Sequence, residues 1–102
     1  MKVNEFQKLM KDLYFHQDNK RGIEKTFIWL IEEIGELASS LKSESFNYKE
    51  IGSEMADILA WTCSLANLLE IDLEESLSEK YPNKCLKCNS NPCKCESLRK
   101  NK

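Results

Sequence analysis

A chain of 102 residues, 41% apolar and 31% charged, has room for one domain and no second catalytic module; it contains no apolar run near the roughly 18 residues of a membrane span. The formal charge of −2 hides an asymmetry, because residues 1–79 carry 8 basic and 16 acidic side chains whereas residues 80–102 carry 7 and 1. An acidic body argues against binding a nucleic-acid backbone, which demands a basic surface, and suits a protein that collects cations; a short basic end is ordinarily just solvated.

The opening "MKVNEFQKLMKDLYF" has no continuous apolar stretch and mixes acids with bases, so it reads as a first helix and not a signal peptide. No membrane partner is implied, and a cytoplasmic location is expected. Val3, Phe6, Leu9, Met10 and Leu13 predict that helix over about residues 3–15, with "HQDNKRG" breaking the pattern. From about Ile23 to Leu41, the positions Phe27, Leu30, Ile31, Ile34, Leu37, Ala38 and Leu41 form one stripe and predict a second helix, followed by the loop "KSESFN". Ile51, Met55, Ile58, Leu59, Thr62, Leu65, Ala66 and Leu69 predict a third over about 48–69. Asp72 with Glu75 resembles a capping box opening a short fourth helix, "LEESLSEKY", and Pro82 helps to end it. Nothing alternates like a strand. The expected fold is an all-α four-helix bundle over residues 1–81 with a loop-rich, basic, Cys-rich tail over 82–102. Its core is thin for two long one-sided helices, so homo-oligomerisation is expected to complete it.

The second helix carries Glu32, Glu33 and Glu36 without a basic residue four positions away, although like charges at that spacing cost a few tenths of a kcal/mol, roughly, on a helix. At about 100° per residue, Glu33 and Glu36 share one flank with Trp29; on the third helix Glu54 and Asp57 share a flank with Trp61. Charged flanks are ordinarily solvated faces. Here the repeated i,i+3 spacing, the paired tryptophans and the missing bases point further. Antiparallel packing through the two apolar stripes would turn both flanks toward one groove, where four carboxylates repel unless a hard cation such as Mg²⁺, Mn²⁺ or Ca²⁺ sits among them. A di-iron carboxylate bundle would need Glu-x-x-His pairs, and the single histidine, His16, stands outside both motifs.

"EEIGEL", then 17 residues after Glu36, then "EMADILAW" resembles the Glu-x-x-Glu … Glu-x-x-Asp signature of the MazG-like nucleotide pyrophosphohydrolases. The similarity runs from about Phe15 to Tyr81, through "RGIEKTFIWL", "LANLLEIDLEESL" and "EKYPNKC". The resemblance implies a helical, dimeric or tetrameric, Mg²⁺-dependent enzyme that cleaves nucleoside triphosphates to monophosphate and pyrophosphate, often as housecleaning of the nucleotide pool. Carried over by position, Glu33, Glu36, Glu54 and Asp57 would hold the Mg²⁺ (or Mn²⁺), and Glu32 is the candidate for orienting or deprotonating the attacking water. A triphosphate also needs positive charge and a base platform. Arg21, Lys25 and Lys80 beside Tyr81 are candidates for the phosphates, although a lone cation of this kind is more often a surface group. Trp29 and Trp61 are candidates for stacking on the base or, alternatively, for core or subunit interface. By resemblance, His16 and Asn67 are further substrate contacts. Gly35, inside the first acid pair, costs up to about 1 kcal/mol of helix propensity, which a close approach of backbone or substrate would explain.

Of five cysteines, Cys63 falls on the third helix opposite the acids and reads as a small core residue. Cys85, Cys88, Cys93 and Cys95, in "CLKCNSNPCKC", have a spacing that would close a structural zinc site; free or redox-active thiols and a disulfide are the alternatives. The rival to an enzyme is a non-catalytic helical interaction or regulatory module with a zinc-binding tail.

Overall fold

The computed structural model describes residues 1–96; positions 97–102 of the expected tail lie outside the described residues. Four helices follow in order, α1 (Val3–Arg21), α2 (Ile23–Leu41), α3 (Tyr48–Leu68) and α4 (Leu73–Lys80), with no strand among the described residues. The all-α reading is correct. The first helix does not stop near residue 15, however, and runs through "HQDNKR" to Arg21. That last turn and a half lacks an apolar stripe, and what carries it is a buried ion pair one turn apart, Asp18 with Arg21. Gly22 alone separates α1 from α2. Its backbone, at φ 89° and ψ 170°, lies in a region essentially confined to glycine, and an added Cβ would meet nothing within 4 Å, so the requirement is conformational and not steric.

The Asn47 carboxamide accepts from the Glu50 amide to start α3, and the Asp72 carboxylate accepts from the Glu75 amide to start α4. These bonds satisfy amides that the first helical turn leaves without partners. The short loop over 42–47 returns α3 antiparallel to α2, as the pairings Ser40 with Glu54 and Trp29 with Trp61 show. α3 is the central helix, packed on α2 along one side and on α1 along another, with α4 docked on α1. Gln7 staples that end: its Nε2 donates to Asn67 Oδ1 and to the Ile71 carbonyl, and its Oε1 accepts from the Leu73 amide.

The apolar stripes meet only in part. α2 turns toward α3 the seam between its stripe and its acid flank, namely Thr26, Leu30, Glu33, Leu37 and Ser40, spaced alternately by four and three residues. Phe27, Ile31, Ile34 and Leu41 are left about half-exposed, Ile31 at 49%, as are Met55 and Leu59 on α3. Among the described residues the buried apolar ones are Met10, Leu30, Ile51, Cys63 and Ala66, so Cys63 is the small core residue expected of it. A Cα radius of gyration of 16.3 Å exceeds the roughly 13 Å of a closed domain of this length.

Candidate active site

The seam packing brings acids indoors. Glu33 on α2 and Glu54 on α3 are both part-buried, and each has one carboxylate oxygen, Oε2, sealed from solvent without a hydrogen-bond partner. Leaving such an atom unpartnered costs about 1–3 kcal/mol, and more when it is charged. Glu54 Oε1 accepts from the Ser40 hydroxyl at 3.0 Å. Burial pushes the Glu33 carboxyl above its ordinary value of 4.5; the charges of Glu36 and Asp57 and a hydrogen bond with Glu36 add to this, while a hydrogen bond from Trp61 opposes it. Glu33, Glu36 and Asp57 therefore share one electrostatic neighbourhood, with Glu54 one turn earlier on α3. Glu36 and Asp57 are exposed at its rim. Glu32 is exposed as well, further round α2.

A donor set of carboxylate oxygens, two of them buried and unpartnered, matches a hard dication. The acids are nevertheless more spread than the tail cysteines, the group among the described residues whose ligand atoms all come within 4.8 Å of one another. Four like charges on two rigid helices have every electrostatic reason to stand apart, and the long Glu side chains have the torsions to close in.

Beside the acids lies a second, unexpected constellation. The Arg21 guanidinium stacks 4.7 Å from the ring centroids of both Trp29 and Trp61, which meet edge to face at 5.5 Å. It pairs with Asp18, and its Nε donates to Thr26 Oγ1, which in turn donates to the Gly22 carbonyl at 2.7 Å. Arg21 is thus committed inside the protomer and not held out toward a ligand. Through Trp61 the cluster borders Glu33, so it fixes one wall of the acid site. Asp18, Thr26 and Ser40 were not singled out from the sequence. The Asp-x-x-Arg spacing and the position of Ser40, four residues past Glu36 and seven past Glu33, are the signals that could have found the two polar ends.

The other candidates are dispersed. Lys25 is exposed on the first turn of α2, in an open depression with Arg21, Gly22, Ile23, Glu24 and Ile28. His16 is exposed on α1. Asn67 is buried in the Gln7 staple, its Nδ2 donating to the Gln7 carbonyl, and ten residues, about 15 Å of helix, separate it from Asp57. A second depression opens there, lined by Asn4, Gln7, Lys8, Lys11, Asn67 and Asp72. The Lys80 ammonium lies 5.8 Å from the Tyr81 ring centroid. An added Cβ at Gly35 would meet nothing within 4 Å, so within one protomer no close approach explains it.

The four tail cysteines do come together. The Lys94 amide, donating to Cys88, holds that thiol down at about 6, and hydrogen bonds with Cys93, Cys88 and Cys85 push Cys95 up to about 12. Among the described residues no helix is long and apolar enough to cross a membrane.

The chain matches the family model described as the MazG nucleotide pyrophosphohydrolase domain over residues 21–88, a span that includes all four acids, both tryptophans and the first two tail cysteines. No curated protein matches the chain.

Proposed function

Because the chain belongs to the MazG nucleotide pyrophosphohydrolase family, we propose that it hydrolyses nucleoside triphosphates at the α–β anhydride, releasing monophosphate and pyrophosphate, with Glu33, Glu36, Glu54 and Asp57 holding Mg²⁺ or Mn²⁺. The observation that carries this is the pair of buried, unpartnered carboxylate oxygens, Glu33 Oε2 and Glu54 Oε2, on two facing helices. When bound, the ion supplies charge to phosphate oxygens and acidity to a coordinated water.

The remaining roles fall to side chains of this protein. Burial and the charges of Glu36 and Asp57 hold the Glu33 carboxyl above its ordinary value, and a dication held among the acids would counter that repulsion. Ser40 keeps Glu54 in orientation through its hydroxyl. Glu32, outside the four ligands, takes the proton of the attacking water. Trp29, more than a third exposed, has ring surface left for a base, and Lys25, exposed on the first turn of α2, is a cation available to the phosphates. The outward apolar faces of α2 and α3 support assembly as a dimer or tetramer, the second copy closing a groove that one protomer leaves open. The tail thiols suit a reducing, cytoplasmic setting.

Pyrophosphate release from a panel of ribo- and deoxyribonucleoside triphosphates, with Mg²⁺ or with chelator, tests the reading. Turnover should require the metal and collapse in Glu36→Ala and Asp57→Ala. A Glu33→Gln, Glu54→Gln double variant with wild-type turnover would remove the ligand assignment, and absence of metal-dependent turnover across the panel would favour a non-catalytic module.

A further inference from the structure

The tail holds a site independent of the acids. Residues 82–96 contain no buried side chain, so little apolar contact is available to offset the conformational entropy of ordering them. The segment is gathered instead around sulfur. Cys85 Sγ stands 3.8 Å from Cys95 Sγ, Cys88 Sγ stands 4.0 Å from Cys93 Sγ, and all four Sγ atoms lie within 4.8 Å of one another. A disulfide needs about 2.05 Å. A tetrahedron of sulfurs at about 2.3 Å from a central zinc has edges of about 3.8 Å, close to the 3.8 and 4.0 Å of the two pairs and within about 1 Å of the 4.8 Å that bounds the whole set.

The backbone is arranged for thiolates. Cys85 to Ser90 form a tight turn, in which the Asn89 amide donates to the Cys85 carbonyl at 2.7 Å and the Cys85 amide to the Ser90 carbonyl at 2.9 Å. Asn89, directly after the second cysteine, takes a φ of 57°, a left-handed conformation that asparagine tolerates better than most residues. The Lys94 amide points at Cys88 Sγ at 3.2 Å and the Cys95 amide at Cys93 Sγ at 3.4 Å. Such N–H···S bonds orient and stabilise sulfur ligands. Lys84, Lys87 and Lys94, each next to a cysteine in sequence, offset the surplus charge that four thiolates keep after a dication has bound.

We propose that Cys85, Cys88, Cys93 and Cys95 bind one Zn²⁺ in a closed, structural site that staples the tail after α4. Each thiol still protonated gives its proton to solvent as it becomes a ligand, and four thiolates with one dication form a zinc tetrathiolate of net charge −2. With all four positions filled by sulfur, the ion has no place for a water and no part in hydrolysis.

The test is the metal content of the full-length protein, purified without added metal, together with cobalt substitution. One zinc per chain is expected, falling about tenfold or more in a Cys88→Ser, Cys93→Ser double variant whose helical circular dichroism is unchanged. Replacing zinc by Co²⁺ in the wild type should produce the thiolate-to-cobalt charge-transfer band of a tetrahedral sulfur site. That readout needs no variant, so it decides the matter even if the double variant fails to fold. Substoichiometric zinc without a cobalt spectrum, stoichiometric iron in its place, or paired disulfides in the native protein would each overturn the assignment.

Discussion

Replacing Glu33 by glutamine should stabilise the metal-free protein and at the same time abolish its response to Mg²⁺. Glu33 Oε2 is sealed from water without a partner, and the side chain faces the charges of Glu36 and Asp57. An unpartnered buried polar atom costs about 1–3 kcal/mol, less for a side chain that is only part-buried, and the like charge one turn along the same helix, Glu36, adds about 0.2–0.5 kcal/mol. A glutamine keeps one oxygen for the Trp61 N–H and offers an amide to Glu36. The expected gain is about 1 kcal/mol, or about 4–8 °C in Tm for a domain of this size. The sign depends on pH. A carboxyl whose folded-state pKa is raised favours the folded protein fully below its unfolded value, near 4.5, and loses that contribution as pH rises through the folded value. The variant's advantage in chelator should therefore be small at pH 4 and grow above it. Mg²⁺ at a hundredfold excess over Kd should add about 2.7 kcal/mol to the wild type and much less to the variant, reversing their order. Thermal melts at one fixed protein concentration, with chelator and with Mg²⁺, measure all four states. A variant that melts lower than the wild type in chelator, or that gains as much from Mg²⁺, would refute the account of Glu33.

Two further outcomes test the surroundings of the site. Arg21→Ala leaves the Asp18 carboxylate buried without its cation and should cost about 3–5 kcal/mol by denaturant titration, whereas the apolar pair Asp18→Leu, Arg21→Met should recover much of it; equal melting of Arg21→Ala and wild type would mean the pair is solvated. Ile31→Asp with Ile34→Asp changes residues on the outward face of α2 and should convert an oligomer to a monomer in light scattering with its helix content retained, while an unchanged mass would place the subunit contact elsewhere.

Much of the candidate site was legible without coordinates, and for a simple reason. Helical spacing alone puts Glu33 beside Glu36 and Glu54 beside Asp57, and hydrophobic periodicity locates the helices that carry them. The cysteine spacing likewise announced a cluster. Other features were hidden because they depend on residues distant in sequence: Arg21, the partner of Asp18, stacks on Trp61 of α3, and Asn67 is held in place by Gln7, 60 positions away.

The amino-acid order by itself determined four helices, the cap at Asp72, the acids on one flank and the sulfur-rich tail, since each follows from contacts within a few turns of chain. Only the tertiary structure decided which arc of α2 meets α3. An apolar stripe says which residues avoid water, not whether they meet their own chain or another surface, and packing chose the seam at Leu30, Glu33 and Leu37. That choice buried one oxygen of Glu33, left Phe27, Ile31 and Ile34 facing outward, and drew Arg21 between two tryptophans.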